Sequence, residues 1–279
     1  IDELNDMYPD FLDPIIELLS YDSRLIVAGD ETQSIYKGRE GFSMLEKLKR
    51  LNFKSQKPSE ILAESFRLPN GMIKILGDFL KAYPIQNANI PSQLSQLNLN
   101  IDLFTEQTLT LKWRDLSNEK INISDVCTDE IIELLKRDEN NSVSDLTFLT
   151  SSVKSGKEVV KNLKNLNFEV SHTFSESKDD NNEKIAVSDT ANKDNFTKTD
   201  HGVKVTTIHS FKGWEGRLIV IYIGGKLNEE NKKLIYTALT RVKKHKIGSY
   251  LTVVSHFEFE DETELKNWKN FINNALHKS

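Results

Sequence analysis

Acidic, amide and guanidinium side chains recur in this sequence where short apolar runs end. Asp2 and Glu3 follow Ile1, and Gly29, Asp30, Glu31, Thr32 and Gln33 follow the run at 25–28. Phe66 and Arg67 come just after the run at 61–63. Thr207, His209, Lys212, Gly213 and Glu215 come after Val205, and a helical stretch from Asn231 leads to Thr240 and Arg241. Open α/β sheets bind ligands beyond the carboxyl ends of their strands. Carboxylates placed there can hold Mg²⁺ and orient a water, and arginines can offset charge on a phosphoryl group in transfer. The set is therefore what nucleotide hydrolysis requires. Taken singly, each member has a blander reading, since an Asp-Glu pair is more often a solvated turn and a lone arginine a surface cation. The order of the whole set carries the weight.

The elements that must position these residues alternate in type. Strands are expected at 24–28, 59–63, 146–150, 202–208, 218–223 and 249–254, with one or two more within 99–113. Helical spacing marks 42–51, 70–83, 124–136, 156–166, 231–242 and 262–276, and prolines at 9 and 14 allow only a broken helix over 6–20. Alternating strands and helices argue for an α/β fold with a mainly parallel sheet. The stretch 175–200, rich in Asp, Asn, Lys and Ser, reads as a polar loop. Phe257 and Phe259 alternate with Glu258 and Glu260 and suggest a half-buried strand edge.

Composition narrows the class. The 279 residues are 38% hydrophobic and 28% charged, enough for a buried core in a water-soluble chain. The longest apolar run, 218–223, is far below the roughly 20 residues that span a bilayer. The single Cys127 excludes an internal disulfide framework and fits a reducing cytoplasm. A net charge of −5 gives no global basic footprint, so any nucleic-acid contact has to be local. Histidines 172, 245, 256 and 277 show no metal-ligand spacing.

Five segments in order resemble one family. Asp2-Glu3-Leu4-Asn5-Asp6 resembles motif II of UvrD/Rep-like superfamily 1 helicases, and Gly29-Asp30-Glu31-Thr32-Gln33-Ser34-Ile35-Tyr36 resembles motif III. Ser65-Phe66-Arg67 is similar to motif IV. Thr207-Ile208-His209-Ser210-Phe211-Lys212-Gly213-Trp214-Glu215 is similar to motif V, and Leu234-Ile235-Tyr236-Thr237-Ala238-Leu239-Thr240-Arg241 to motif VI. The resemblance implies a RecA-like second helicase domain over 59–279, preceded at 1–58 by the tail of a first RecA-like domain. It implies ATP and Mg²⁺ as cofactors and single-stranded or partly duplex DNA as partner, with movement 3′ to 5′. Residue by residue, it implies that Asp2 holds Mg²⁺ through water and Glu3 polarises the attacking water. Gln33 would sense the γ-phosphate, Phe66 stack on the adenine, and Arg67 reach the γ-phosphate. Gly213 and Glu215 would lie at the nucleotide, with Glu215 on the ribose, and Arg241 would act as the arginine finger. Tyr36, Thr207 and His209 would face the nucleic acid.

The sequence departs from the family in three places. Asn5 stands where glutamine is usual, and Gly38 where many relatives carry a base-stacking aromatic. No Gly-x₄-Gly-Lys-Ser/Thr loop is present: Gly224-Gly225-Lys226 runs into Leu227, and Ser155-Gly156-Lys157 into Glu158. The family places that loop upstream of motif II, so the expectation is a fragment of a longer protein, inert alone as an ATPase. Two other readings stay open. One is a nucleic-acid-binding or protein-docking module that uses the fold without turnover, and the other an ATPase subunit of a nuclease or defence complex.

Overall fold

The computed structural model describes residues 1–19, 23–36, 39, 67–69, 71–85, 109–175, 196–197 and 201–277. The expected helix at 42–51, strand at 59–63, the boundary at 58/59, Gly38, Phe66 and most of the 175–200 loop lie outside them.

Strands β1 (Leu109–Asp115), β2 (Leu146–Thr150), β3 (Val170–His172), β4 (Val203–Thr207), β5 (Leu218–Gly225) and β6 (Ser249–Phe257) form one 6-stranded sheet in the order β1-β6-β5-β2-β4-β3. Every neighbouring pair is parallel. The helices are α1 (Leu12–Glu17), α2 (Met72–Ala82), α3 (Ile123–Lys136), α4 (Val153–Asn165), α5 (Glu229–Leu239) and α6 (Glu262–Leu276). This is the α/β parallel-sheet architecture expected for the RecA-like class, with helices on both faces of the sheet.

The two faces follow from the period-2 geometry of a strand. Along β5, Leu218, Val220 and Tyr222 enter a core with Cys127, Ile131, Val159 and Leu163 of α3 and α4. Ile219, Ile221 and Ile223 enter the opposite core, with Phe79 of α2, Ile235 of α5 and Trp268 of α6. A strand buried on both sides has to be apolar throughout, which is why 218–223 reads as an unbroken run. The α3, α4, α5 and α6 helices open on side chains that accept a backbone N–H, from Asn122, Ser152, Asn228 and Asp261 respectively. Each cap is worth about 1 kcal/mol. Burial pushes the Cys127 thiol well above its ordinary pKa, as an inert core residue requires.

The structure also corrects details within the sheet domain. β3 was not expected, because Val170–His172 is short and only half-buried. α4 begins at Val153 rather than at 156, since Ser152 caps it. Phe257 does not mark a strand edge, because it is fully buried at the end of β6, between β1 and β5.

Residues 1–19 and 23–36 make a smaller unit. Ile1 and Ile26–Ala28 pair through Ala28 N donating to Ile1 O (2.9 Å) and the Ile1 amino group donating to Ile26 O (2.6 Å), and Leu4 N donates to Ala28 O (2.9 Å). The pairing is parallel but too short to count as regular strand, so the strand expected at 24–28 does not form. Leu4 is its buried centre, packed by Ile1, Met7, Ile16, Leu25 and Val27.

Candidate functional site

Arg241 anchors the site. Its Nε donates to Thr237 O (3.0 Å), Nη2 donates to Thr240 Oγ1 (2.8 Å) and Gln33 Oε1 (2.7 Å), and Nη1 reaches Trp214 O at 3.4 Å. The final turn of α5 and the segment before β5 thus hold the planar head group from three sides. Burial, then the charge of Arg67, lowers its pKa to about 10, against the pull of Glu3, Glu215 and Asp30. One guanidinium therefore feels four of the charged groups singled out in the sequence. Arg67 Nε lies 4.0 Å from Glu215 Oε2. That nitrogen is shut off from solvent and has no hydrogen-bond partner, an arrangement suited to receiving an anion.

Gln33 reaches Arg241 from the first unit, and a polar network fixes its place. Gln33 Nε2 donates to Asp30 Oδ2 (2.8 Å), and Thr32 N and its hydroxyl donate to Asp30 Oδ1. Asp30 N in turn donates to Asn5 Oδ1 (3.0 Å), and Asn5 Nδ2 to Asp6 Oδ1 (3.1 Å). Asn5 is fully buried, and a Cβ on Gly29 would come within 2.7 Å of its Oδ1. Glycine at 29 lets the backbone come close enough for the Asn5 amide to bridge the two acidic turns. The α5 helix packs on the 3₁₀ turn Glu31–Gln33. There, burial and the nearby Asp30 carboxylate push the Tyr236 phenol up to about 12.

The strand-end rule places only part of the set. Thr207 ends β4, where its hydroxyl donates to Ser210 Oγ (3.0 Å) and accepts from Ser210 N (3.1 Å). Glu215 and Arg241 lie instead beside the amino end of β5, because Gly216 N donates to Arg241 O (3.0 Å) and Lys243 N to Gly216 O (2.9 Å). A parallel strand has to be entered from the same end as its neighbour. Segment 208–217 therefore returns along the sheet face, with Ile208 and Phe211 in the core, and carries Glu215 with it. Gly213, at φ +83°, makes the turn that an L side chain would strain.

The expected nucleic-acid residues form a neighbouring group. Tyr36 donates its hydroxyl to His209 O (2.7 Å), and the two rings lie 5.8 Å apart. Arg39 sits over the Tyr36 ring at 4.5 Å and the Tyr8 ring at 4.9 Å. Burial holds the His209 imidazole below its ordinary pKa.

Asp2 stands apart from these groups. It is exposed, and its Oδ1 accepts from Glu3 N (2.9 Å). Glu3 is also exposed, in a left-handed conformation at φ 51°, with its carboxylate 3.7 Å from Lys212 Nζ. Among the described residues, no group of three or more His, Cys, Asp or Glu is placed to hold a metal ion. One or two carboxylates are nonetheless the usual protein share for Mg²⁺ that arrives with nucleotide phosphates, and Asp2 and Glu3 fit that pattern.

Lys212 belongs to the set that follows Val205 in the sequence, where it carries no assigned role. Its side chain is 4% exposed, and its Nζ lies 2.6 Å from Asp6 Oδ1 and donates to Gln33 O (2.6 Å). This is a charged pin from the sheet domain into the first unit. Lys212→Met is expected to cost about 2 kcal/mol, less than the 3–5 of a fully buried pair because Glu3 and Asp6 keep some water. Denaturant melts should show that loss. A double variant with Asp6→Asn should lose less than the sum of the two single changes.

No family model and no curated protein matches this chain. Among solved structures, it is similar to the C-terminal domain of a possible DNA helicase from Lactobacillus plantarum WCFS1. That similarity covers 70% of this chain and 90% of the other, at 14% identity and a TM-score of 0.40. So distant a likeness carries no functional argument, and the case for function rests on the geometry of the site.

Proposed function

We propose that this chain is the C-terminal part of an ATP-dependent nucleic-acid helicase or translocase of the UvrD/Rep-like kind, acting on single-stranded or partly duplex DNA. The observation that carries the reading is the hydrogen bond from Arg241 Nη2 to Gln33 Oε1, 2.7 Å long across 208 residues of sequence. Two residues singled out for phosphate chemistry meet there, beside Arg67 and Glu215. Arginine offers a rigid fork of donors for phosphate oxygens, and here it arrives from a different unit than the acids do. Hydrolysis would then depend on how the two units sit, which is how a motor couples chemistry to movement.

In this reading ATP supplies the phosphoryl group and Mg²⁺ offsets its charge. Asp2 and Glu3 supply the carboxylates, and Glu3 orients the attacking water. Arg67 and Arg241 bind the terminal phosphate, and Gln33 links that phosphate to the nucleic-acid group. That link is short, because Gln33 O and the Tyr36 ring both face Lys212 Nζ, at 2.6 Å and 5.7 Å. Movement 3′ to 5′ follows from the resemblance. The test is ATP turnover by the protein that carries this chain, with and without oligo(dT). Turnover that rises with the oligonucleotide is expected, and binding of both ligands with no hydrolysis would sink the assignment.

A further inference from the structure

Asn5 is a buried amide set between the turn of Glu3 and the turn of Gln33. It is 1% exposed, a place where an amide is kept only with its polar atoms paired. Its Oδ1 accepts from Asp30 N (3.0 Å), and its Nδ2 donates to Asp6 Oδ1 (3.1 Å). One side chain thus holds both turns.

The backbone explains why a side chain is needed there. Ala28 N donates to Ile1 O, and Leu4 N donates to Ala28 O. Continued as a parallel ladder, the pairing would next take Asp30 N to Glu3 O. Glu3 instead turns away, at φ 51° and ψ 44°, and its carbonyl accepts from Asp6 N (2.9 Å). Asp30 N is left without that backbone acceptor, and the Asn5 amide oxygen takes the rung. A non-glycine residue enters the left-handed region at a cost and persists there only where its surroundings fix it. Asn5 supplies part of that fixing from two residues along the same turn. The fit leaves no slack, since a Cβ at Gly29 would come within 2.7 Å of Asn5 Oδ1 and 3.0 Å of Leu4 N.

The bonds run on at both ends. From Asp30 they reach Gln33 Nε2 (2.8 Å) and, through Gln33 Oε1, Arg241 Nη2 (2.7 Å). From Asp6 they reach Lys212 Nζ (2.6 Å). Glu3 and Gln33 therefore keep their spacing through Asn5. A reacting group misplaced by about 1 Å lowers a rate far more than it weakens ligand binding.

We propose that Asn5 is a positioning residue for ATP hydrolysis, which touches no substrate and sets the distance between the Glu3 carboxylate and Gln33. The proposal rests on the motor reading above and gives a role to a residue outside the nucleotide contacts.

The test is steady-state ATP turnover with oligo(dT) by the protein that carries this chain, alongside a thermal melt. Asn5→Ala removes the amide, and Gly29→Ala crowds it without emptying the buried position. Each should lower kcat roughly tenfold to a hundredfold, with KM for ATP within about twofold of the wild type. Because both act on one contact, the double variant should be little worse than the more damaging single one. Leu25→Ala thins the packing around Leu4 and touches none of these bonds, so it should lower Tm and keep kcat. A folded Asn5→Ala protein with the wild-type kcat would overturn the proposal, as would a rise in KM alone. A kcat lost equally in Leu25→Ala would overturn it too, because the amide would then matter only to stability. A wild-type protein that never hydrolyses ATP would defeat the motor reading itself, and the role of Asn5 with it.

Discussion

Arg241→Ala should lower ATP turnover by roughly 10³- to 10⁵-fold in the protein that carries this chain, the range over which arginine fingers act. The geometry explains why no neighbour can replace it. Three nitrogens are engaged at once, with Thr237 O, Trp214 O, Thr240 Oγ1 and Gln33 Oε1, and a guanidinium held on several sides is already aimed before any phosphate arrives. Arg67 is the other cation whose charge Arg241 feels, yet that charge repels Arg241 and its Nε faces Glu215. Arg241→Lys should recover little, since one ammonium cannot keep both the Thr237 carbonyl and the Gln33 amide. The alanine variant also leaves buried acceptors unpaired at about 1–3 kcal/mol each, so a melting curve has to accompany the rate measurement. A folded Arg241→Ala protein turning over ATP at the wild-type rate would remove Arg241 from the chemistry and with it the proposed motor.

The second large effect concerns stability. Trp268→Ala should cost about 3–5 kcal/mol, the usual toll of emptying a buried aromatic site, and lower Tm by roughly 10 °C. Trp268 is fully buried, and its ring lies 5.1 Å from Phe257, 5.5 Å from Tyr83, 5.6 Å from Phe271 and 5.7 Å from Trp113. It thereby joins α2, α6, β1 and β6, and no small shift of one element can close the hole. Its Nε1 also donates to Asp115 Oδ1 (3.2 Å). Trp268→Phe keeps the ring contacts and loses that bond, so its cost should fall to about 1–2 kcal/mol. Equal costs for the two variants in calorimetry would show that the hydrogen bond, and not the packing, matters at this position.

Much of this architecture could be read from residue patterns alone, and the reasons are local. The Glu262–Leu276 helix carries its own cap in Asp261 and a regular apolar stripe, so its ends matched the expectation. Strand β2 is a short run buried at every position, and it too fell at its expected bounds. β3 escaped because three half-buried residues hold no detectable period. The gathering of Gln33, Arg67, Glu215 and Arg241 was legible only through the order of the whole set along the chain and the resemblance that order carries, since each residue taken singly has a blander reading. The route that gathers two of them was not legible. Glu215 and Arg241 meet beside the start of β5, and only the three-dimensional return of segment 208–217 reveals it. Lys212 and Asn5 were opaque for a related reason. Their value lies in partners distant in sequence, and no periodicity announces a side chain that crosses between two units.

The strand order has a consequence for how the chain is made. Among the described residues β1 pairs only with β6, and Ser255 Oγ donates to Asp115 Oδ1 across 140 residues of sequence. During vectorial synthesis the 109–115 segment, with Leu109, Leu111 and Trp113 on its buried side, waits for its partner until residues 249–257 have left the ribosome. Closure over so long a span makes folding slow, in the manner of all high-contact-order sheets. A nascent chain halted before residue 249 would expose both β1 and the flank of β5, a ready template for aggregation. Chaperone demand during expression should therefore be set by the arrival of β6.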